Sequence, residues 1–148
     1  MTLYRAELLI LIPTTLTAGY LMFIMTVLQP VMNGLDTRTF QPFVPLLLNK
    51  ATASRYTVLF SSITFVALIP YFIFYGVQHG WFTAGLIMFV LSSVFGKVLN
   101  LPVYSRVKAT SPLDTSALNR ERRALQTANA VRALTSLAAV VLMVIQLL

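Results

Sequence analysis

The sequence predicts an all-α integral membrane protein, a four-helix bundle in a single domain over residues 1–148, with an interfacial segment between spans one and two. Three observations carry this. Only 10% of the residues are charged and 57% are hydrophobic, against about 25% charged in an ordinary soluble domain. Leu8–Met32 and Tyr56–Gln78 contain no Asp, Glu, Lys or Arg, and each exceeds the ~20 residues that cross ~30 Å of hydrocarbon as a helix. Trp81–Gly96 and Ala133–Leu148 are charge-free but shorter.

The first span is expected over about 8–32. It is too long for the apolar core of a signal peptide, and no small-residue cleavage site follows it. Pro13 stands early in it, where a missing N–H costs little. Thr15, Gly19, Met22, Thr26, Gln29 and Asn33 recur at helical spacing and predict an inward stripe, because lipid offers amides no partner. "NGLDTRTFQPFVPLLLNKATASR" then combines a turn, apolar residues and Pro42 and Pro45, which reads as a short interfacial or re-entrant segment. The second span, 55–78, puts Arg55 and Ser62 on one face, with Leu59, Val66, Ile69 and Ile73 continuing it. "YGVQHGW" turns the chain, with His79 expected as a solvated turn residue and Trp81, Tyr71 and Tyr75 suited to the interface. The third span, 81–101, aligns Gly85, Ser92, Gly96 and Asn100, a strip that lets another helix approach closely. Pro102 is expected to end or kink it. The last helix, 116–148, extends beyond the membrane and is capped by Asp114, Thr115 or Ser116. It aligns Arg122, Leu125, Asn129, Arg132 and Ser136.

With four spans, the connections 33–55 and 97–132 share one side and hold every Lys and Arg except Arg5. Positive charge marks the cytoplasmic face. The expectation is a multi-pass protein of the cytoplasmic (inner) membrane with both termini non-cytoplasmic. The net charge of +7 therefore reads as orientation and headgroup contact, with no nucleic acid as partner. Cysteine is absent and His79 is the single histidine, so no thiolate, bis-histidine haem or multi-histidine metal site can be built in one chain. No metal and no cofactor are expected. The four carboxylates, Glu7, Asp36, Asp114 and Glu121, lie outside the charge-free runs, which argues against a carboxylate relay in the bilayer.

Sixteen residues rise about 24 Å as a helix, short of the hydrocarbon core. Lys97 and Arg132 are therefore expected at the edge of that core. Asn100 and Asn129 fall one turn outward, and Gln29, Asn33 and Arg55 reach a similar depth. The set predicts a pocket of cationic and amide donors with Glu121 as the nearest counter-charge. Donors in excess suit an anion or an oxygen-rich ligand. Met22, Phe23, Phe60 and Phe95 are the expected apolar walls.

"AGYLMFIMTVLQPVMNGL", "KVLNLPVYSRV" and "RRALQTANAVRAL" resemble the first span, third-span ending and fourth-helix signature of the anthrone oxygenase-like four-helix membrane family, which includes relatives without an assigned function. The resemblance assigns Asn100 and Pro102, then Arg122, Asn129 and Arg132. Tyr104 stands where a second Asn is common, and Leu125 lies in the region of a common tryptophan. The resemblance implies oxidation of an anthrone-type or similar aromatic, polyketide-like substrate by O₂ without metal or flavin. On that activity Arg132 would stabilise the developing enolate oxygen, Asn129 and Asn100 would orient ring oxygens, and Lys97 would be the base. Gln29, Asn33, Arg55 and Arg122 are the expected substrate-binding residues.

Two other readings fit the same composition. One is an accessory subunit of a larger membrane complex, without catalysis. The other is a protein that binds an anionic lipid or amphiphile at its cationic mouth. The expected partners are thus a hydrophobic small molecule or lipid and the membrane. Apolar faces left after a four-helix core admit a homo-oligomer or a larger membrane complex.

Overall fold

The computed structural model describes residues 2–148, and among them the regular structure is entirely helical. Five helices follow in order: α1 (Leu3–Gly34), α2 (Thr37–Ala53), α3 (Arg55–Tyr75), α4 (Gly80–Ala109) and α5 (Thr115–Leu147). All but α2 are long and apolar enough to cross a membrane. The protein is a multi-pass, all-α membrane bundle.

α5 lies along both α4 and α1, and α1 lies along α3. Ring contacts between Phe65 and Phe89 (5.6 Å) and between Tyr71 and Phe82 (5.5 Å) close α3 against α4. The ring therefore runs α1, α3, α4, α5. Glycine permits the closest approach: a Cβ on Gly85 of α4 would stand 2.7 Å from the Ala139 carbonyl oxygen and 2.6 Å from Met143 Cγ of α5. Outward faces are apolar, with Val66 and Ile73 about 70% exposed, as suits helices solvated by lipid.

Both termini and the turn before α4 meet at one end. The Trp81 amide donates to Gln146 Oε1 at 3.3 Å, and Glu7 meets His79 at 2.8 Å. Gly76, at φ +63°, makes the turn that a side chain would resist. At the opposite end lie α2 and the cations of the two long connections, hereafter the basic end. Each end has its own apolar core. Ile10, Tyr71, Phe82, Leu86, Phe89 and Met143 pack near the termini. Met32, Phe40, Val44, Val103, Val107, Leu118 and Leu125 pack at the basic end.

The expected short interfacial segment is a full 17-residue helix, α2, in spite of Pro42 and Pro45. Tertiary partners hold it. Asp36 caps it, accepting from the Thr39 amide and hydroxyl at 2.9 Å each. Phe40 and Val44 are fully buried, and Gln41 Nε2 donates to the Lys108 carbonyl at 3.3 Å. Arg122 anchors the joint, donating to the Asn33 and Leu35 carbonyls at 3.1 and 2.7 Å while its guanidinium lies 4.4 Å over the Phe40 ring.

The spans contain two π-turns, Ile24–Leu28 in α1 and Gly96–Asn100 in α4. Each stands just before a proline, Pro30 or Pro102. Proline lacks an N–H and its ring crowds the carbonyl four residues back. One wider turn relieves that crowding without breaking the helix. Pro102 accordingly does not end α4, which continues to Ala109. The inserted residue also shifts the phase of α1. Its buried positions before the π-turn include Thr14, Ala18 and Leu21, each one residue earlier than the expected Thr15, Gly19 and Met22. Thr15, Gly19 and Thr26 are exposed and Met22 is half-buried. After the π-turn, Gln29 faces inward as expected.

Candidate functional site

At the basic end, α1, α4 and α5 bring a layer of amides into the bundle. Gln29, Asn100 and Asn129 are 1%, 2% and 4% exposed. Asn100 Nδ2 donates to Asn129 Oδ1, and Asn129 Nδ2 donates to Gln29 Oε1 at 2.8 Å. Gln29 Nε2 then donates to Asn33 Oδ1 at 2.9 Å. Asn33 Nδ2 donates to Gln126 Oε1 at 3.3 Å. Both π-turns serve this layer, since Gln29 follows the first and Asn100 closes the second. Asn100 Oδ1 is buried with no hydrogen-bond partner.

One turn nearer the termini on α5 stands Arg132. The Ser92 hydroxyl donates to its backbone carbonyl at 2.8 Å, fixing α5 against α4 at this residue. Its guanidinium lies against Gly96, where an added Cβ would come within 2.9 Å of Nε and 3.0 Å of Cζ. Arg132 Nε is buried and unpartnered. The carboxylates are engaged elsewhere. Glu121 Oε2 accepts from Arg106 Nε at 2.9 Å, so it is not the counter-charge of Arg132. Asp36 and Asp114 cap helices, and Glu7 lies at the far end. Arg132 as a whole is half-buried; guanidinium is a permanent cation near neutral pH, and the part of such a charge taken out of water without a partner is costly.

Arg132 and Asn100 line one cavity of about 130 Å³. Its walls are Tyr20, Ile24, Leu28 and Met32 from α1, Leu101 and Tyr104 from α4, and Leu47, Leu48, Ala51 and Thr52 from α2, with Thr57 of α3. The arrangement can hold an apolar body with one oxygen directed at a cation. α2 thus closes the site as well as the bundle.

Several expectations require correction. Lys97 is exposed and does not line the cavity. It sits in the wide turn between inward Gly96 and Asn100, on the opposite face. Arg55 is exposed as well, on the outer face of α3 that carries Leu59, Val66, Ile69 and Ile73. Three spans, not four, supply the amide layer. Arg122 and Asn33 are structural here, joining α1, α2 and α5. None of Met22, Phe23, Phe60 and Phe95 lines the cavity. Asn100, Asn129, Gln29 and Arg132 do converge.

A second polar cluster went unread in the sequence. Glu7 is fully buried. Its Oε1 accepts from the Tyr71 hydroxyl at 3.0 Å and faces His79 Nδ1 at 2.8 Å. His79 is therefore half-buried and bonded, not a solvated turn residue. The signal was available: the even number of spans puts Glu7 and His79 on the same side of the membrane. Tyr20, Tyr104 and the apolar face of α2 were also missed as cavity walls.

No family model, curated protein or solved structure matches this chain.

Proposed function

We propose that this protein binds a hydrophobic molecule bearing an oxyanion, such as an aromatic phenolate, enolate or carboxylate, in the cavity between α1, α2, α4 and α5. One observation supports this above the others: Arg132 has a buried Nε without a partner while the four carboxylates are engaged elsewhere. An oxyanion at the guanidinium supplies the charge-assisted hydrogen bonds that the chain does not. Apolar side chains from three helices take the hydrophobic body. The concentration of Lys and Arg at one end supports an orientation with that end cytoplasmic and both termini outside.

A second reading, cofactor-independent oxidation by O₂, is favoured by a specific observation. Asn100 and Arg132, assigned by the resemblance to anthrone oxygenases, line one cavity, and Asn129, assigned with them, accepts a hydrogen bond from Asn100 behind it. The reaction would convert an anthrone CH₂ and O₂ into a quinone carbonyl and water. Arg132 would stabilise the enolate from which an electron passes to O₂. Lys97 is exposed and does not line the cavity, so the substrate's own acidity beside Arg132 would provide the anion.

Purified protein in lipid nanodiscs, titrated with 3-hydroxybenzoate by calorimetry, tests the binding. The Arg132→Leu variant is expected to bind at least tenfold more weakly, and Lys97→Met to bind normally. Undiminished affinity in Arg132→Leu would remove the proposal. Aerobic incubation with an anthrone, followed by quinone absorbance, decides the second reading.

A further inference from the structure

The amide layer is a continuous row with a single direction. From Asn100 through Asn129, Gln29 and Asn33 to Gln126, every side chain donates its N–H to the carbonyl oxygen of the next. Reversing one amide alone would set oxygen against oxygen on one side and NH₂ against NH₂ on the other. Only two settings satisfy the interior: the row as it stands, or all of it reversed. As it stands, the inner end presents Asn100 Oδ1, buried and unpartnered, in a residue that lines the Arg132 cavity. Reversed, it presents an NH₂ there instead.

We infer that the row sets the hydrogen-bonding specificity of the cavity, and that Gln126, on the outer surface of α5, is a remote positioning residue for it. This rests on the binding reading above and narrows its ligand class. The favoured ligand carries two oxygen functions, an oxyanion for Arg132 and a hydroxyl donor for Asn100 Oδ1. An ether or ketone in place of the hydroxyl leaves a buried acceptor facing another acceptor. Composition at the surface end controls which face the interior shows. A side chain at 126 that only accepts holds the row in its present direction. One that only donates favours its reversal, because Asn33 must then turn its oxygen outward.

The experiment compares 3-hydroxybenzoate with 3-methoxybenzoate, titrated by calorimetry into nanodisc-embedded full-length protein. The native protein is expected to prefer the hydroxyl compound by about tenfold, the size of one well-made hydrogen bond. Gln126→Glu should keep that preference. Gln126→Lys should lower the hydroxyl-to-methoxy ratio at least threefold although position 126 touches neither ligand. Asn100→Leu should erase the preference. A ratio in Gln126→Lys equal to the native one overturns the directional row and leaves the binding reading standing. So does a hydroxyl preference that survives Asn100→Leu, or no preference in the native protein. Failure of the native protein to bind either compound overturns both.

Discussion

The two ends of the bundle both bury polar groups, and they satisfy them in opposite ways. At the terminal end, Glu7 is fully enclosed, with Tyr71 and His79 both at its Oε1 while its Oε2 has no hydrogen-bond partner. Carboxylate, phenol and imidazole there belong to three helices or the turn before one of them, so the cluster ties the bundle together. At the basic end, Arg132 has its backbone tied by Ser92 but no carboxylate beside its guanidinium. A carboxyl tied to two neighbours inside the chain is architecture. A charge held in place but not neutralised is prepared for something else.

The contrast can be broken most severely at Glu7. Glu7→Leu leaves the Tyr71 hydroxyl and His79 Nδ1 without their shared acceptor, at a cost of about 2–3 kcal/mol. Thermal unfolding in nanodiscs should show a clear fall. Arg132→Leu should show no fall, since exchanging a half-buried cation with no carboxylate beside it for a packed apolar group is neutral or stabilising, even as ligand affinity is lost. Equal destabilisation by the two variants would erase the distinction between the ends.

A smaller effect is expected at Gly96. Gly96→Ala places a methyl group 2.9 Å from Arg132 Nε, so the guanidinium must shift, and benzoate affinity should fall about three- to tenfold, or ~0.7–1.4 kcal/mol. Melting should change little, because the crowded neighbour is the flexible end of a side chain. Unchanged affinity would mean that Arg132 does not recognise the ligand.

The smallest effect concerns the caps that frame the basic end. Hydrogen bonds from the Thr39 amide and hydroxyl hold the Asp36 carboxyl below its usual range. The Ala117 amide and Ser116 hydroxyl do the same for Asp114. A depressed folded-state value means that each cap stabilises fully above the unfolded carboxylate range, near 3.9, and weakens as pH falls through the lower folded value. Amide exchange at Thr39 and Ala117 should accelerate in acid below that range. Acid-insensitive exchange at Thr39 and Ala117 would contradict the capping roles.

The fold was legible because it depends on long-range composition. Charge-free runs and one-sided cations specify four spans, and the i, i+4 steps through Ser92, Gly96 and Asn100 tolerated the π-turn in α4. The inward face of α1 was legible only from Gln29 onward. A regular 3.6-residue period cannot register one inserted residue, so every position projected back from Gln29 fell one residue late. Proline at 30 was the visible sign of the cause. α2 was obscured for a related reason: Pro42 and Pro45 argue locally against a helix, whereas Phe40, Val44 and the Arg122 contacts that hold it are distant in sequence. Lys97 and Arg55 were expected to face the pocket and are exposed instead, because counting residues gives a position along a helix and facing requires the phase.

The wide turn in α1 makes that helix two rotors on a common shaft. Removing a single residue such as Val27 would restore ordinary winding and still leave Gln29 on the face of Leu21, because the seven-residue step then left between them is about two ordinary turns. The half that carries Glu7, Thr14 and Leu21 would keep its seams. A length change that is normally ruinous in a membrane helix would here be absorbed by the wide turn, leaving the interior amides facing the bundle as before.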